Sequence, residues 1–400
     1  MKAKIAIVGV FVLAIVVILA LKMRGENDAS RAQPPGSGSA QADSSARPSG
    51  SVTEITMTYS SEKKEWLELA AADFRKEHPE IKLDLVPKGS LDAALAILDD
   101  KDRPTIFSPA DSLILNLLVS DWKMKGRSSL VGTSGKDEPQ SLMITPLVLV
   151  IWEDREHVLA KTGGGRLTWK GIHKAITSNK GWPAVGGKPE WGFVKFGHTD
   201  PTKSNSGLQA LYLMSLEYFN KPTLEVGDLL KPEYQTFIKE IEKGVAKFEA
   251  STGQFMTEMV RFGPSKYDIA VVYENLAISQ IANAQGRWGN LKIYYPSPTL
   301  WSDHPAAVLQ GEWVTPAQAA AAHVWLDYLR TRPVQERALT FGFRPGDPSI
   351  PVKTGASDGP FTKLAQYGIA IDIPPVAKTP DGAVVQNLVT MWSRIAAPQR

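Results

Sequence analysis

Short apolar segments alternate along this chain with stretches in which apolar residues recur every three or four positions. Residues 54–59 and 81–86 have the β-branched and aromatic content of strands. Between them, residues 60–77 place Trp66 and Phe74 on one face of a predicted helix. Strands and helices that alternate at this spacing predict a mainly parallel sheet, in which ligands bind beyond the carboxyl ends of the strands.

The alternation continues to the C-terminus and is interrupted by a long apolar run at residues 141–152, which contains Pro146. A strand of this length can cross from one lobe of a protein into another. Further strands are predicted at residues 105–107, 191–196, 267–273 and 293–296. Further helices are predicted from Ser90, from residues 109–111 and from Glu274, and at residues 153–161, 168–178, 205–219, 232–249, 253–262, 316–330, 334–341 and 384–395.

This order of elements predicts an α/β protein of two lobes with a hinged cleft between them. We expect residues 53–145 and 300–400 to form lobe 1, and residues 146–299 to form lobe 2. The loops that follow the predicted strands would then open toward the cleft, where side chains in loops can carry binding or chemistry.

The N-terminus has the pattern of a membrane anchor. Residues 5–21 are an unbroken apolar run between basic residues, and its length of about 17 residues is at the lower limit for crossing a bilayer. No cleavage motif of small residues follows, so we predict an uncleaved anchor within residues 1–24, with a cleaved signal peptide as the alternative. An anchor of this type keeps its short basic end inside, so we expect the folded part to lie outside the cytoplasm. Residues 25–52 are rich in Ser, Ala, Pro and Gly and predict a flexible tether that keeps the folded part near the membrane.

Composition narrows the possible functions. The chain is 43% hydrophobic and 22% charged, as soluble globular proteins are. Its 45 basic and 42 acidic residues are too balanced to indicate the concentrated basic face that nucleic acid requires. The chain has no cysteine, which excludes disulfides, thiolate catalysis and attachment of a lipid to cysteine.

Residues 197–212 form a strand-to-helix connection rich in hydroxyl groups. Ser206 and Gln209 have the spacing of a capping box, in which each side chain bonds the other residue's backbone N–H. The remaining free N–H groups at such a helix start favour an anion or a polar oxygen. Two interpretations stay open from this segment alone, namely an ordinary capped helix and a site for a small polar ligand.

Five short segments with hydroxyl groups or proline occur in order along the predicted strand ends. They are Thr58-Tyr59-Ser60-Ser61-Glu62, Phe107-Ser108-Pro109-Ala110-Asp111, Thr145-Pro146-Leu147, Thr199-Asp200-Pro201 with Ser204-Asn205-Ser206-Gly207, and Val272-Tyr273-Glu274-Asn275. In this order they resemble the extracellular solute-binding proteins of bacterial ABC uptake systems, in the molybdate-binding-like branch of the type II periplasmic-binding fold. The resemblance covers residues 53–395 and implies a two-lobed binder that closes on its ligand without catalysis and without a cofactor.

The resemblance also implies which residues contact the ligand. These are Ser60, Ser61, Ser90, Ser108, Thr199, Ser204, Ser206 and Tyr273. Ser61, Ser90 and Ser206 also suit helix caps, and Tyr273 could simply pack in the core. Glu274 joins the candidates as a carboxylate that would repel an anion and suit a sugar hydroxyl, a cation or a chelated metal; a solvent-facing carboxylate in the first helical turn is its alternative.

Catalytic patterns are absent from the sequence. The six histidines are scattered without metal-ligand spacing, and no nucleophile elbow or phosphate-binding loop occurs. We therefore predict no enzyme activity, no metal and no cofactor. The predicted function is a membrane-anchored, extracytoplasmic protein that captures a small polar solute, namely an oxyanion, a sugar or a carboxylate, for an ABC permease or for sensing. The alternative is an envelope protein-interaction module of the same fold without a small ligand.

Overall fold

The computed structural model of the protein describes residues 52–353 and 359–396. Eleven strands occur in this part of the chain, in two separate sheets. They are β1 (Thr53–Ser60), β2 (Ile81–Lys88), β3 (Ile106–Ser108), β4 (Gln140–Ser141), β5 (Met143–Trp152), β6 (Phe196–Gly197), β7 (Ile269–Tyr273), β8 (Leu291–Tyr294), β9 (Trp301–Ser302), β10 (Pro305–Val308) and β11 (Arg344–Pro345).

Helices flank both sheets. They are α1 (Lys64–Glu77), α2 (Ser90–Leu98), α3 (Ser112–Met124), α4 (Glu153–Thr162), α5 (Trp169–Thr177), α6 (Asn205–Phe219), α7 (Val226–Leu229), α8 (Pro232–Glu242), α9 (Thr252–Phe262), α10 (Glu274–Gln285), α11 (Pro316–Arg330), α12 (Arg332–Thr340), α13 (Pro360–Lys363) and α14 (Gly382–Ile395). The predicted helices at 205–219 and 316–330 are confirmed with the same bounds, whereas the one predicted at 232–249 ends at Glu242.

The first sheet has the strand order β2-β1-β3-β10-β4. Strand β1 pairs in parallel with β2 and β3, and β10 pairs antiparallel with β3. Trp66 and Phe74 of α1 are buried against this sheet together with Trp325 of α11. We call this sheet, with helices α1–α3, α11 and α12, lobe 1.

The second sheet has the order β11-β5-β7-β6, and β8 and β9 also pair with β5. Strand β5 runs antiparallel to β7, β8, β9 and β11, and only β6 with β7 is parallel. The prediction of a mainly parallel sheet is therefore wrong here. A central antiparallel strand covered on both faces shows the same continuous apolar run as a parallel strand, which explains the error. We call this sheet, with helices α4–α10, lobe 2.

The strand predicted at residues 191–196 is also wrong for most of its length. Pro189–Trp191 form a short 3-10 turn, and β6 consists of two residues only. The indole ring of Trp191 packs edge-to-face on Trp182 at a centroid distance of 5.4 Å. The apolar residues of this segment therefore fill a local cluster of aromatic rings and do not extend a ladder.

The chain passes between the lobes more than once. Residues 140–145 run from β4 of lobe 1 into β5 of lobe 2, and residues 302–305 return from β9 to β10. Strand β11 then pairs with β5, and the Trp392 indole N–H of α14 donates to Glu242 in lobe 2 at 2.8 Å. The predicted lobe boundaries at residues 145 and 300 stay predictions.

The predicted anchor at residues 1–24 lies outside the described residues, and so does the predicted tether at residues 25–52, apart from Val52. Among the helices of residues 52–353 and 359–396, none combines the length and the apolar character needed to span a bilayer.

Candidate functional site

The two lobes meet at a surface where several strands end. Ser60 ends β1, Ser108 ends β3 and Tyr273 ends β7. A small inner cavity of about 150 Å³ lies here, divided into gaps that are each too small to hold a water molecule. Its walls come from both lobes and consist of Ser60, Ser61, Glu62, Lys88, Gly89, Ser90, Ala110, Ser204, Asn205, Thr252 and Tyr273.

Three serines that the sequence predicted as ligand contacts lie in the lobe 1 wall of the cavity. The Ser60 hydroxyl has no protein hydrogen-bond partner. The Ser61 hydroxyl accepts from the Gly253 N–H of lobe 2 at 3.2 Å, and the Ser90 hydroxyl accepts from the Ala110 N–H at 3.0 Å. Ser90 is not a helix cap, because α2 begins at Ser90 and Gly89 is the residue before it.

The lobe 2 wall contains a cluster of hydroxyl groups. The Ser206 Oγ lies 2.8 Å from the Thr199 Oγ1 and 2.7 Å from the Thr252 Oγ1, while the Ser204 Oγ lies 3.3 Å from the Thr252 Oγ1. Helix α6 begins one residue after Ser204, so the predicted capping box of Ser206 and Gln209 is wrong. Ser204 faces the cavity, whereas Thr199 and Ser206 are not among its wall residues.

Two amides in the first turns of α6 reach other parts of the interface instead of the helix start. The Gln209 Nε2 donates to the Asp111 Oδ2 of lobe 1 and to the Ser302 Oγ, both at 3.0 Å. The Asn205 Nδ2 donates to the Tyr273 hydroxyl, also at 3.0 Å. The predicted ligand residue Tyr273 is thus buried, faces the cavity and is oriented by Asn205.

Ser108 lies behind the cavity wall and accepts from a buried lysine. The Lys63 ammonium donates to the Ser108 carbonyl at 2.8 Å, to the Ser108 hydroxyl at 2.9 Å and to the Pro109 carbonyl at 3.0 Å. These contacts use its three donors within lobe 1. Burial lowers the pKa of Lys63 to about 7, against the opposing effect of Glu62 and Asp303.

Acidic groups outnumber this lysine at the interface. Burial raises the pKa of Glu62 above its usual value. Burial, with the neighbouring Asp303, raises the pKa of Asp111 to about 7. The His304 Nδ1 lies 3.5 Å from both the Glu62 Oε1 and the Lys63 Nζ, and burial holds the pKa of His304 well below its usual value. These groups are three carboxyl groups, one lysine and a neutral imidazole. Lys88 of the cavity wall is paired separately with Asp102 at 2.8 Å.

Two of these carboxyl groups, Asp111 and Asp303, accept hydrogen bonds from backbone N–H groups at the start of helix α3. The Asp111 Oδ1 accepts from the Leu113 N–H at 2.8 Å, and the Asp303 Oδ1 accepts from the Ser112 N–H at 2.7 Å. The start of helix α2 is occupied as well, because the Leu91 N–H and the Asp92 N–H donate to the Lys203 carbonyl of lobe 2 at 2.9 and 3.1 Å. Backbone N–H groups that could bind an oxyanion at these two helix starts are thus already paired with protein oxygens.

Glu274 is placed away from both positions that the sequence suggested for it. Its side chain is fully buried, so it is not a solvent-facing carboxylate, and it is not a wall residue of the inner cavity. Its two oxygens accept from the Arg344 guanidinium, each at 2.8 Å, and the Tyr295 hydroxyl also donates to it. Arg344 also donates to the carbonyls of Ala370 and Ile371, so Glu274 joins α10 to the C-terminal segment.

Besides the Ser60 hydroxyl, five polar atoms at the interface have no protein hydrogen-bond partner although their side chains are buried. They are Glu62 Oε1, Asn205 Oδ1, Gln209 Oε1, Asn275 Oδ1 and His304 Nε2. The most exposed of these residues, Glu62, is 5% exposed. An unpaired buried acceptor costs about 1–3 kcal/mol. The closed arrangement of the lobes therefore carries a substantial free-energy cost from these atoms.

A wider groove lies next to the inner cavity and opens to solvent. It shares Ser61 and Glu62 with the cavity and is also lined by Gly253 and Asn275 of lobe 2. Two hydrogen bonds join the lobes at this boundary, from the Gly253 N–H to the Ser61 Oγ and from the Asn275 Nδ2 to the Glu62 carbonyl at 3.2 Å. Separating these contacts would connect the cavity with solvent.

Several residues of the interface were not predicted as site residues. Glu62 lies two residues after the end of β1, and Asp111 lies three residues after the end of β3. The strand-end rule that selected the serines could therefore have found them. Asn205 was quoted only within a segment that carries the family resemblance, and Gln209 only for helix capping. His304 lies in the connection between β9 and β10 and carries no local signal in the sequence.

The side chains of the described ranges, residues 52–353 and 359–396, include no group of three or more His, Cys, Asp or Glu arranged to hold a metal ion.

Two α/β lobes that meet over a buried polar surface define the periplasmic-binding-protein class of fold. The chain belongs to the family of bacterial extracellular solute-binding proteins, whose model matches residues 55–344. No curated protein matches the chain. The family consists of proteins that bind solutes, which agrees with the prediction from the sequence that this chain is a binding protein and not an enzyme.

Solved structures show the same fold at low sequence identity. The sulfate-binding protein of Mycobacterium tuberculosis is 16% identical with a TM-score of 0.50, covering 84% of this chain and 96% of its own. A periplasmic thiamin-binding protein is 11% identical with a TM-score of 0.57, and the match covers 90% of this chain and 100% of that protein. A substrate-binding protein of an ABC transporter from Agrobacterium tumefaciens is 12% identical with a TM-score of 0.54, and the match covers 87% of this chain and 96% of that protein.

Proposed function

We propose that this chain is a membrane-anchored, extracytoplasmic solute-binding protein that closes its two lobes on a small polar ligand and delivers it to an ABC permease. The observation that carries the proposal is the set of five buried, unpartnered polar atoms at the interface between the lobes. Burying such atoms without partners is unfavourable, so a ligand that pairs with them favours the closed arrangement. The unliganded protein then opens and the bound protein closes.

The proposed ligand contacts are residues of the inner cavity wall. Ser60, Ser61, Ser90, Ser204 and Tyr273 were predicted from the sequence and line the cavity. Ser108, Thr199 and Ser206 support this wall from behind through Lys63 and Thr252. The anchor is proposed from the apolar run at residues 5–21, and the tether from residues 25–52.

The test combines ligand screening with membrane fractionation. The full chain, purified in mild detergent, is screened by thermal denaturation against oxyanions, sugars, carboxylates and amines. A ligand at about 100 times its Kd adds about 2.7 kcal/mol, which corresponds to roughly 4 °C in Tm for a domain of this size. We expect at least one such increase, its loss in the variant Ser204→Ala with Ser206→Ala, and recovery of the full chain in the membrane pellet.

A second candidate function has its own structural support. The Lys203 carbonyl occupies the start of α2, and the gaps of the inner cavity do not admit water, so the two lobes already satisfy part of each other's polar surface. This favours an envelope protein-interaction module whose lobes stay closed. No increase in Tm across the panel, together with a stable protein partner that co-purifies with the chain, would establish this function and contradict solute binding.

A further inference from the structure

Apart from the Ser60 hydroxyl, the side-chain oxygens left without partners at the interface between the lobes share one chemical character, which is that they accept hydrogen bonds. The Asn275 Nδ2 donates to the Glu62 carbonyl, and the Gln209 Nε2 donates to the Asp111 carboxyl group. Because a carbonyl and an ionised carboxylate only accept hydrogen bonds, these contacts fix the orientation of each amide and leave its oxygen unpaired. The Glu62 Oε1 is an acceptor in its ionised form.

These acceptors belong to one connected cluster. Glu62 and Asn205 both line the inner cavity, and Asn205 and Gln209 both donate to the Ser302 hydroxyl. His304 approaches Glu62 at 3.5 Å and lies edge-on to the Tyr273 ring at a centroid distance of 6.1 Å. A compact ligand at this place would therefore meet several of these acceptors together.

The cationic and backbone donors near this cluster are already engaged, and the Ser60 hydroxyl remains as a neutral donor. The Lys63 ammonium uses its donors on Ser108 and Pro109, and the N–H groups at the start of α2 are bonded to Lys203. Lys88 in the cavity wall is paired with Asp102 at 2.8 Å. The carboxyl groups of Glu62, Asp111 and Asp303 therefore face Lys63 alone, so the interface has an excess of negative charge over positive charge when these groups are ionised. An oxyanion would add acceptors and negative charge where both are already in excess.

Resting on the proposed function, we propose that the ligand of this cleft is a small organic ammonium compound that supplies N–H donors and positive charge to Glu62, Asn205 and Asn275. In the closed arrangement the spaces between these walls admit no water molecule, so the ligand enters through the adjoining groove, which shares Ser61 and Glu62 with the cavity, and holds the lobes further apart. The ammonium group forms charge-assisted hydrogen bonds with the acceptors, and the Glu62 carboxylate is its counter-ion.

The experiment separates charge from hydrogen-bond donors with four kinds of probe. Ethanolamine and putrescine have positive charge and N–H donors, tetramethylammonium has charge without donors, glycerol has donors without charge, and sulfate and molybdate are oxyanions. Binding to the full chain in detergent is measured by calorimetry and by the shift in Tm. We expect binding of ethanolamine or putrescine only.

The variant Glu62→Gln tests the proposed counter-ion. It removes the charge of a buried carboxyl group that has one oxygen without a hydrogen-bond partner, so we expect the Tm of the unliganded chain to stay the same or rise, while the affinity for the amine falls about tenfold or more. The matched control is Glu77→Gln, an exposed glutamate at the end of α1, which should change neither quantity. An equal affinity of the wild type and Glu62→Gln for the amine would overturn the inference.

The outcomes also separate this inference from the proposed function. Binding of sulfate or molybdate, or binding of glycerol as tight as that of the amines, would overturn the ammonium inference and leave solute binding in place. Failure of every probe, together with an unchanged Tm across the wider panel, would overturn both.

Discussion

Single residues decide what the interface between the lobes can bind. The serines at the strand ends were predicted from the sequence, because a strand end followed by a hydroxyl residue is a local pattern. Gln209 and Asp111 could not be paired from the sequence, because α6 and α3 come together only in the folded chain. The unpaired oxygens that give the site its acceptor character are likewise a property of the folded structure.

The buried ion pair of Glu274 and Arg344 gives a prediction at this scale. Arg344→Met leaves the Glu274 carboxylate buried without its partner, so we expect the free energy of unfolding to fall by about 3–5 kcal/mol. Because Glu274 is not a wall residue of the cavity, the stabilisation by ligand should remain. Chemical denaturation with and without ligand measures both quantities.

The matched control for this prediction is Arg332→Met. Arg332 pairs with Glu336 on the surface of α12, where both side chains are exposed, so its loss should cost less than about 1 kcal/mol. If Arg344→Met abolished ligand binding while the protein stayed folded, Glu274 would belong to the ligand site after all.

At the scale of elements, helices were predicted better than strands. Their apolar period is set by the chain itself, which is why α6 and α11 have the predicted bounds. Whether β5 pairs in parallel or antiparallel depends on where the chain returns after the intervening helices. A buried central strand has the same continuous apolar sequence in both arrangements, so its pattern does not distinguish them. The apolar residues 191–196 could equally form a strand or fill a cluster.

The start of α2 gives a prediction for this scale. A Cβ atom at Gly89 would lie 2.4 Å from the Ala250 carbonyl oxygen and 2.6 Å from the Lys203 carbonyl oxygen, both in lobe 2. Its φ of −64° is accessible to any residue, so Gly89→Ala should leave α2 intact and separate the lobes. We expect faster hydrogen exchange at the Leu91 and Asp92 amides, which lose the Lys203 carbonyl, and weaker ligand binding.

Gly227→Ala is the control for this variant, because a Cβ atom at Gly227 meets no atom within 4 Å. It should leave the exchange of Leu91 and Asp92 and the ligand affinity unchanged. Normal exchange and affinity in Gly89→Ala would mean that contact between the lobes at this helix start is not required for closure.

At the scale of the whole molecule, the two-lobed fold and the family were predicted from the sequence, since the order of the strand-end segments is a property of the complete chain. The contacts of the C-terminal segment were not predicted. Trp392 donates to Glu242, and Arg344 bonds Glu274, although each pair is far apart in sequence. Such pairings are set by packing and leave no period in the chain.

The shifted pKa values of buried groups at the interface predict how the stability of the whole molecule depends on pH. The pKa of Asp111 is raised to about 7, so the folded state binds more protons than the unfolded state above pH 4, and stability falls as pH rises toward 7. The pKa of Lys63 is lowered to about 7, so the folded state binds fewer protons above pH 7, and stability rises again toward pH 10. Glu62, whose pKa is also raised, adds to the fall on the acid side.

Burial also holds the pKa of His304 well below its usual value, so His304 makes the free energy of unfolding rise with pH below about 6.5 and opposes the effect of Asp111. Urea denaturation at pH 5, 7 and 9 should therefore compare the wild type with Asp111→Asn. One pKa unit corresponds to about 1.4 kcal/mol, and we expect the wild type to lose about 2 kcal/mol relative to Asp111→Asn between pH 5 and pH 7. Asp84→Asn, on the exposed face of β2, should show no such difference. A constant difference between the wild type and Asp111→Asn from pH 5 to pH 7 would contradict the assignment to Asp111.

The first sheet joins β1 to β3 from the start of the described chain with β10 from much later in the sequence, which affects folding during synthesis. Ala307 of β10 lies opposite Phe107 of β3, so the first sheet cannot be completed until the whole of β5 to β9 has been made. A chain that emerges N-terminus first exposes the unpaired edge of β3 throughout that interval. Such an edge is a site for aggregation until β10 is available to pair with it.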